Sequence, residues 1–175
     1  IRNRYRKELL NALKQILLEY KRMLCSLFLC VNHESSLVHL VQSMVQEAQK
    51  AGIPFDYVLF DTWFSNPAQL VALKDIGADV IAMIKKNSTK YTLLDPTDDT
   101  VKDLNVKEIY SRFKKRSGRS KYLLCVNVRV SDRTGNSVPA KLVFARNRNN
   151  KKQWICFVCT DMCCSAEDVL GIYTM

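Results

Sequence analysis

The stretch FDYVLFDTWFSNPAQL, Phe55–Leu70, holds the clearest candidate for chemistry. Four apolar or aromatic residues, Tyr57 to Phe60, run into an acid, Asp61. Such a run ahead of a turn reads as a strand buried on both faces. Its carboxyl end is where open α/β sheets bind their ligands. A carboxylate there is a hard oxygen ligand suited to Mg²⁺ or Mn²⁺. The plainer reading, that Asp61 caps a turn, stands beside it. Trp63 and Phe64 form a bulky pair, and Ser65-Asn66-Pro67 opens a helix, with Ser65 or Asn66 as cap and Pro67 in the first turn.

A second kind of chemistry lies in the charge. The 175 residues carry a formal net charge of +10. Lys85 to Lys152 holds 18 Lys/Arg against 6 Asp/Glu, so this block contains all the positive excess. A one-sided balance of that kind fits a polyanion, most simply nucleic acid. Two runs concentrate it: Arg112–Lys121, RFKKRSGRSK, and Arg146–Lys152, RNRNNKK. Arg112, Lys114, Lys115, Arg116, Arg119, Arg146, Arg148, Lys151 and Lys152 are the candidate phosphate contacts, joined by Lys85 and Lys86 at the end of a strand. Solvated loops are the alternative. Trp154, directly after the second run, is either a core residue or a platform for a base.

Other constellations are weaker. Cys156 and Cys159 have C-x2-C spacing, but in a strand residues three apart face opposite sides, and no second pair of suitable spacing follows. Buried thiols explain them better than zinc. His39 is a lone imidazole on a helix. The sequence has no Gly-rich phosphate loop, no Ser-His-Asp set and no H-E-x-x-H motif. Seven cysteines, an odd number without a secretory signal before them, read as thiols in a reducing cytoplasm. The longest apolar stretch, Met23–Val31, is too short to span a bilayer.

The elements that must position these residues follow from periodicity and punctuation. Residues 1–22 read as an amphipathic helix, and 23–31 as strand or buried helix. Ser36 caps a helix over Leu37–Ala51, stopped by Gly52. The strand ending at Asp61 leads to a helix, Pro67–Ile76, closed by Gly77, and then to a strand, Asp79–Ile84. This alternation predicts parallel neighbouring strands joined by a helical crossover. Beyond Lys86 come a short run at Tyr91–Leu94, an acidic turn at Asp95–Asp99 and a short helix over Val106–Phe113. Strands over Tyr122–Val130, Ala140–Ala145 and Trp154–Thr160 then suggest an antiparallel meander inserted into the α/β unit. Ser165 caps a last helix, with Asp168 at its third position.

Taken in order, D-Y-V-L-F-D-T-W-F-S, D-V-I-A-M-I-K-K, K-K-R-S-G-R-S-K-Y, V-F-A-R-N-R-N-N-K-K-Q-W and G-I-Y-T resemble bacterial insertion-sequence transposases of the DDE type. The resemblance covers roughly 37–175. It implies a ribonuclease H-like core, 37–86 with a return helix at 161–175, interrupted by a basic β-rich insertion, 87–160. Residues 1–36 take no family role. In that family three carboxylates hold two divalent ions, Mg²⁺ or Mn²⁺, which cut and join DNA. Asp61 matches the second acid. Tyr173 matches the first position of the motif Y-x2-R-x3-E-x6-K and becomes a candidate DNA contact. Trp154 fits the insertion tryptophan that stacks on a flipped base in some relatives. The chain begins with Ile and reads as the central piece of a longer protein. The first acid is expected before Ile1 and the glutamate after Met175, so the piece alone should be inactive. The resemblance further implies DNA, transposon ends and target, as partner, a bacterial cytoplasmic setting, no membrane, and room for a homodimer in the parent. A non-catalytic nucleic-acid-binding module or a decayed remnant is the competing reading.

Overall fold

The computed structural model of the protein describes residues 34–94, 103–150 and 153–174. The expectations for residues 1–22 and 23–31, the acidic turn Asp95–Asp99, and Lys151 and Lys152 lie outside the described residues. Helix α1 (Glu34–Lys50) leads to β1 (Tyr57–Phe60), α2 (Pro67–Asp75) and β2 (Asp79–Met83). Next come β3 (Lys90–Leu93), β4 (Asp103–Asn105), α3 (Val106–Arg112), β5 (Leu124–Ser131), β6 (Ser137–Arg146), β7 (Trp154–Cys159) and α4 (Ala166–Tyr173).

Local chemistry accounts for the boundaries. Gly52 and Gly77 stand at φ 69° and 77°, just past α1 and α2, where a side chain would be strained. The Asn66 carboxamide oxygen accepts from the Gln69 amide at 2.8 Å, and Pro67 fills the first turn, where its missing N–H is no loss. At α3, Asn105 and Glu108 form a capping box. Ser165 caps α4 by accepting from the Asp168 amide at 3.1 Å.

The fold is α/β, with one seven-stranded mixed sheet in the order β1-β2-β7-β6-β5-β3-β4. As expected, β1 and β2 are parallel, Tyr57 opposite Asp79 and Phe60 opposite Ala82, with α2 as the crossover. All other pairings are antiparallel. The basic segment forms a meander of β5, β6 and β7, and β7 also pairs with β2, Ile81 opposite Cys159. The insertion and the strand bearing Asp61 therefore share one sheet.

Strand alternation divides the core. Val80, Ala82, Leu142, Phe144, Cys156 and Val158 pack on one face with Leu70 and Leu73 of α2 and Ile109 of α3. Ile81, Val143, Phe157 and Cys159 pack on the other with Val169 of α4. The central strands β6 and β7 are covered on both sides, so four successive residues in each are buried. α1 is tied to α2 by Gln42 and Gln49, whose carboxamides donate to the Ala72 and Ile76 carbonyls at 3.1 and 3.3 Å.

Two boundaries differ from expectation. α1 begins at Glu34, so Ser36 lies inside the helix and does not cap it. The turn expected over residues 131–139 is shorter. Asp132 accepts from the amides of Thr134 and Asn136, each at 2.9 Å, and β6 starts at Ser137. Pro139 therefore lies inside a strand. Pairing of β6 with β7 begins only at Lys141, so the missing N–H interrupts no bond on that side.

Candidate functional site

Asp61 follows β1 directly, is exposed, and stands at the carboxyl edge of the parallel pair. Its Oδ1 accepts the Trp63 amide at 2.8 Å. Asp61 thus caps the turn with one oxygen, which is the plainer of the two sequence readings. The Ser65 hydroxyl donates to the Thr62 carbonyl at 3.4 Å, which holds the loop between β1 and α2 further. The two aromatics of that loop part company. Phe64 packs on Phe60 with ring centroids 5.9 Å apart, whereas Trp63 stays 75% exposed.

Tyr173, from the last turn of α4, closes the same edge. Its hydroxyl donates to the Phe60 carbonyl at 2.8 Å, and its ring meets Phe157 at 4.7 Å. Burial, then the negative charge of Asp61, push the Tyr173 phenol above the ordinary tyrosine range. Lys85, just past β2, puts its ammonium 4.0 Å from the Trp63 ring centre. Asp61 and Trp63 of one loop, Lys85 after β2 and Tyr173 of α4 therefore come together from three separate stretches.

A divalent ion at this edge would need several oxygen ligands. Among the described residues no group of three or more His, Cys, Asp or Glu is placed to hold a metal. Asp61 contributes a single carboxylate at this edge. Cys156 and Cys159 belong to opposite faces of the sheet, as strand geometry requires, so C-x2-C is not a chelating pair here. Burial raises both thiols, leaving them poor nucleophiles.

The basic runs meet at one end of the meander. The Arg146 guanidinium donates to the Gly118 carbonyl at 2.9 Å and the Ser120 carbonyl at 3.1 Å. It braces the first basic loop from the start of the second. Arg116 lies 4.5 Å from the Tyr122 ring, and its amide donates to the Leu123 carbonyl at 2.7 Å. Lys114, Lys115, Arg116, Ser117 and Ser120 line an open groove. Arg112, Lys114, Arg119 and Arg148 are exposed. Lys115 donates to the Ser111 carbonyl at 3.3 Å and sits 4.7 Å from the Tyr110 ring.

Trp154 is packed. It stacks on Tyr110 with centroids 4.5 Å apart and planes 21° apart, and it touches Phe144 at 5.4 Å. The Lys86 ammonium lies 4.0 Å from the Trp154 ring centre. Tyr110, Phe144 and Lys86 thus all stand against the half-buried indole.

Sequence reasoning missed three participants. Trp63 was seen only as half of a bulky pair. Tyr110 has no signal beyond its place in a short helix. Lys141, half-buried on β6, donates to the Met162 and Cys164 carbonyls and holds the approach to α4. No protein-family model, curated protein or solved structure matches the chain.

Proposed function

We propose that the chain is the central part of a bacterial DDE transposase, a ribonuclease H-like core joined to a basic β-rich insertion that binds DNA. The observation that supports this best is the edge itself. An exposed carboxylate follows a strand that is parallel to its neighbour across a helical crossover, and the hydroxyl of Tyr173 rests on the carbonyl just before it. The exposed Arg112, Lys114, Arg116, Arg119 and Arg148 supply positive charge for phosphates. Arg146 contributes by shaping the loop. In this reading Asp61 is one ligand of a divalent pair, Mg²⁺ or Mn²⁺, and the remaining acids belong to the parent protein. The ions would supply a nucleophile and charge stabilisation at phosphorus. The chain alone binds DNA and does not cut it. No described helix is long and apolar enough to cross a membrane.

The second reading, a nucleic-acid-binding module without catalysis, draws on the bond from the Trp63 amide to Asp61, which gives the acid a purely structural use. One substitution separates the two. In the parent protein, Asp61→Asn keeps the turn-capping oxygen but loses the charge. Strand cleavage should disappear while duplex affinity stays within about twofold. Cleavage at the unsubstituted rate removes Asp61 from the mechanism and favours the module.

A further inference from the structure

Trp63 is the most open of the large hydrophobic side chains among the described residues, ahead of Leu59, Ile53 and Leu37. Its backbone is nevertheless fixed. The amide is bonded to Asp61, and the next residue packs inward on Phe60. The loop thus holds the indole outward on a hydrogen-bonded turn. The charged neighbours Asp61 and Lys85 make a dry apolar protein contact a poor complement. An indole beside an ammonium suits a nucleotide: the ring offers its face to a base, the ammonium its charge to a phosphate.

We infer that Trp63 and Lys85 form a stacking platform for an unpaired nucleobase of a DNA strand lying along the edge at Asp61. The inference rests on DNA being the partner. The base takes the open indole face and Lys85 pairs with the adjoining phosphate. Trp154, by contrast, is half-buried against Tyr110, Phe144 and Lys86.

The test uses the 175-residue chain and fluorescently labelled DNA, read by anisotropy: a blunt duplex, and the same duplex with a single-stranded thymidine overhang. Trp63→Ala should weaken binding to the overhang DNA about tenfold, the usual weight of one stacked base, and leave blunt-duplex binding within about twofold. Trp63→Phe, which keeps an aromatic face, should retain most of the difference. If the unsubstituted chain binds both DNAs and Trp63→Ala changes neither, the platform is wrong and the DNA reading stands. Equal losses on both DNAs mean that Trp63 does not read unpaired bases. A self-associating chain that Trp63→Ala makes monomeric, with DNA binding unchanged, assigns the indole to a second copy. If the unsubstituted chain binds neither DNA, both the platform and the DNA reading fall.

Discussion

Lys85 and Lys86 are adjacent in the chain, and each lies 4.0 Å from a tryptophan ring, yet the two pairs differ in kind. Lys86 covers Trp154, which is already held by Tyr110 and Phe144 on the face of the sheet that α2 and α3 cover. Lys85 leans on Trp63, which otherwise projects into solvent. An ammonium over a ring is therefore not a sign of function. In the first pair the cation finishes a packed cluster; in the second it flanks a surface that a ligand could use. What separates them is the rest of the ring's surroundings, and those come from α3 and β6 in one case and from nothing comparable in the other.

The largest test of this contrast is stability. Trp154→Ala removes a ring packed against Tyr110 and Phe144 and should cost about 3 kcal/mol, near the lower end for buried aromatic truncations because the indole is only partly buried. Trp63→Ala should stay within about 0.5 kcal/mol. Urea unfolding of both variants measures this. Equal losses would show that Trp63 is also part of the core.

A smaller effect concerns the lysines. Lys86→Met should destabilise by about 0.5–1 kcal/mol, as for cation–ring contacts near the surface. A double-mutant cycle with Trp154→Leu should show that the loss depends on the ring. The same cycle for Lys85 and Trp63 should show coupling near zero, because solvent competes for both partners. Strong coupling there would move Trp63 towards a structural role.

The smallest effect sharpens the exposed edge alone. The Tyr173 phenol is raised by burial and by the Asp61 carboxylate. Asp61→Asn removes only the second cause, so the phenol should titrate lower, yet still above the ordinary value of about 10. The sign for stability follows. The fold holds the phenolic proton more tightly than the unfolded chain does, so stability falls as pH rises through that ordinary value. Ultraviolet difference titration of the variant reads the shift, and an unchanged phenol would separate Tyr173 from the charge of Asp61.

Features governed by neighbours in the chain were legible in the sequence. Gly52, Gly77, Asn66 and Ser165 ended or began helices where expected, because capping is local chemistry. Asp61 was legible for the same reason: a strand followed by an acid needs only a short window. The pairing of β7 with β2 was not, since Ile81 and Cys159 meet across the whole basic segment and periodicity carries no partner information. Nor was the fate of the aromatics, because Trp63 and Trp154 differ in what other elements bring to them. Arg146 looked like a phosphate contact, and its hydrogen bonds to Gly118 and Ser120 depend on a loop brought close by the sheet.

The pairing of β2 with β7 also bears on how the protein comes off the ribosome. When β2 has been made, the edge that Cys159 will cover stands open until synthesis reaches β7. At ordinary elongation speeds that is on the order of several seconds. During that interval the apolar strand Asp79–Met83 offers bare backbone donors and acceptors to any other nascent or misfolded chain. Non-local pairing of this kind also slows folding of the finished chain. Chaperone occupancy should therefore peak after β2 emerges and drop once Trp154–Cys159 is out, so yield should depend more on translation speed across the basic segment than on that across α1 or α2.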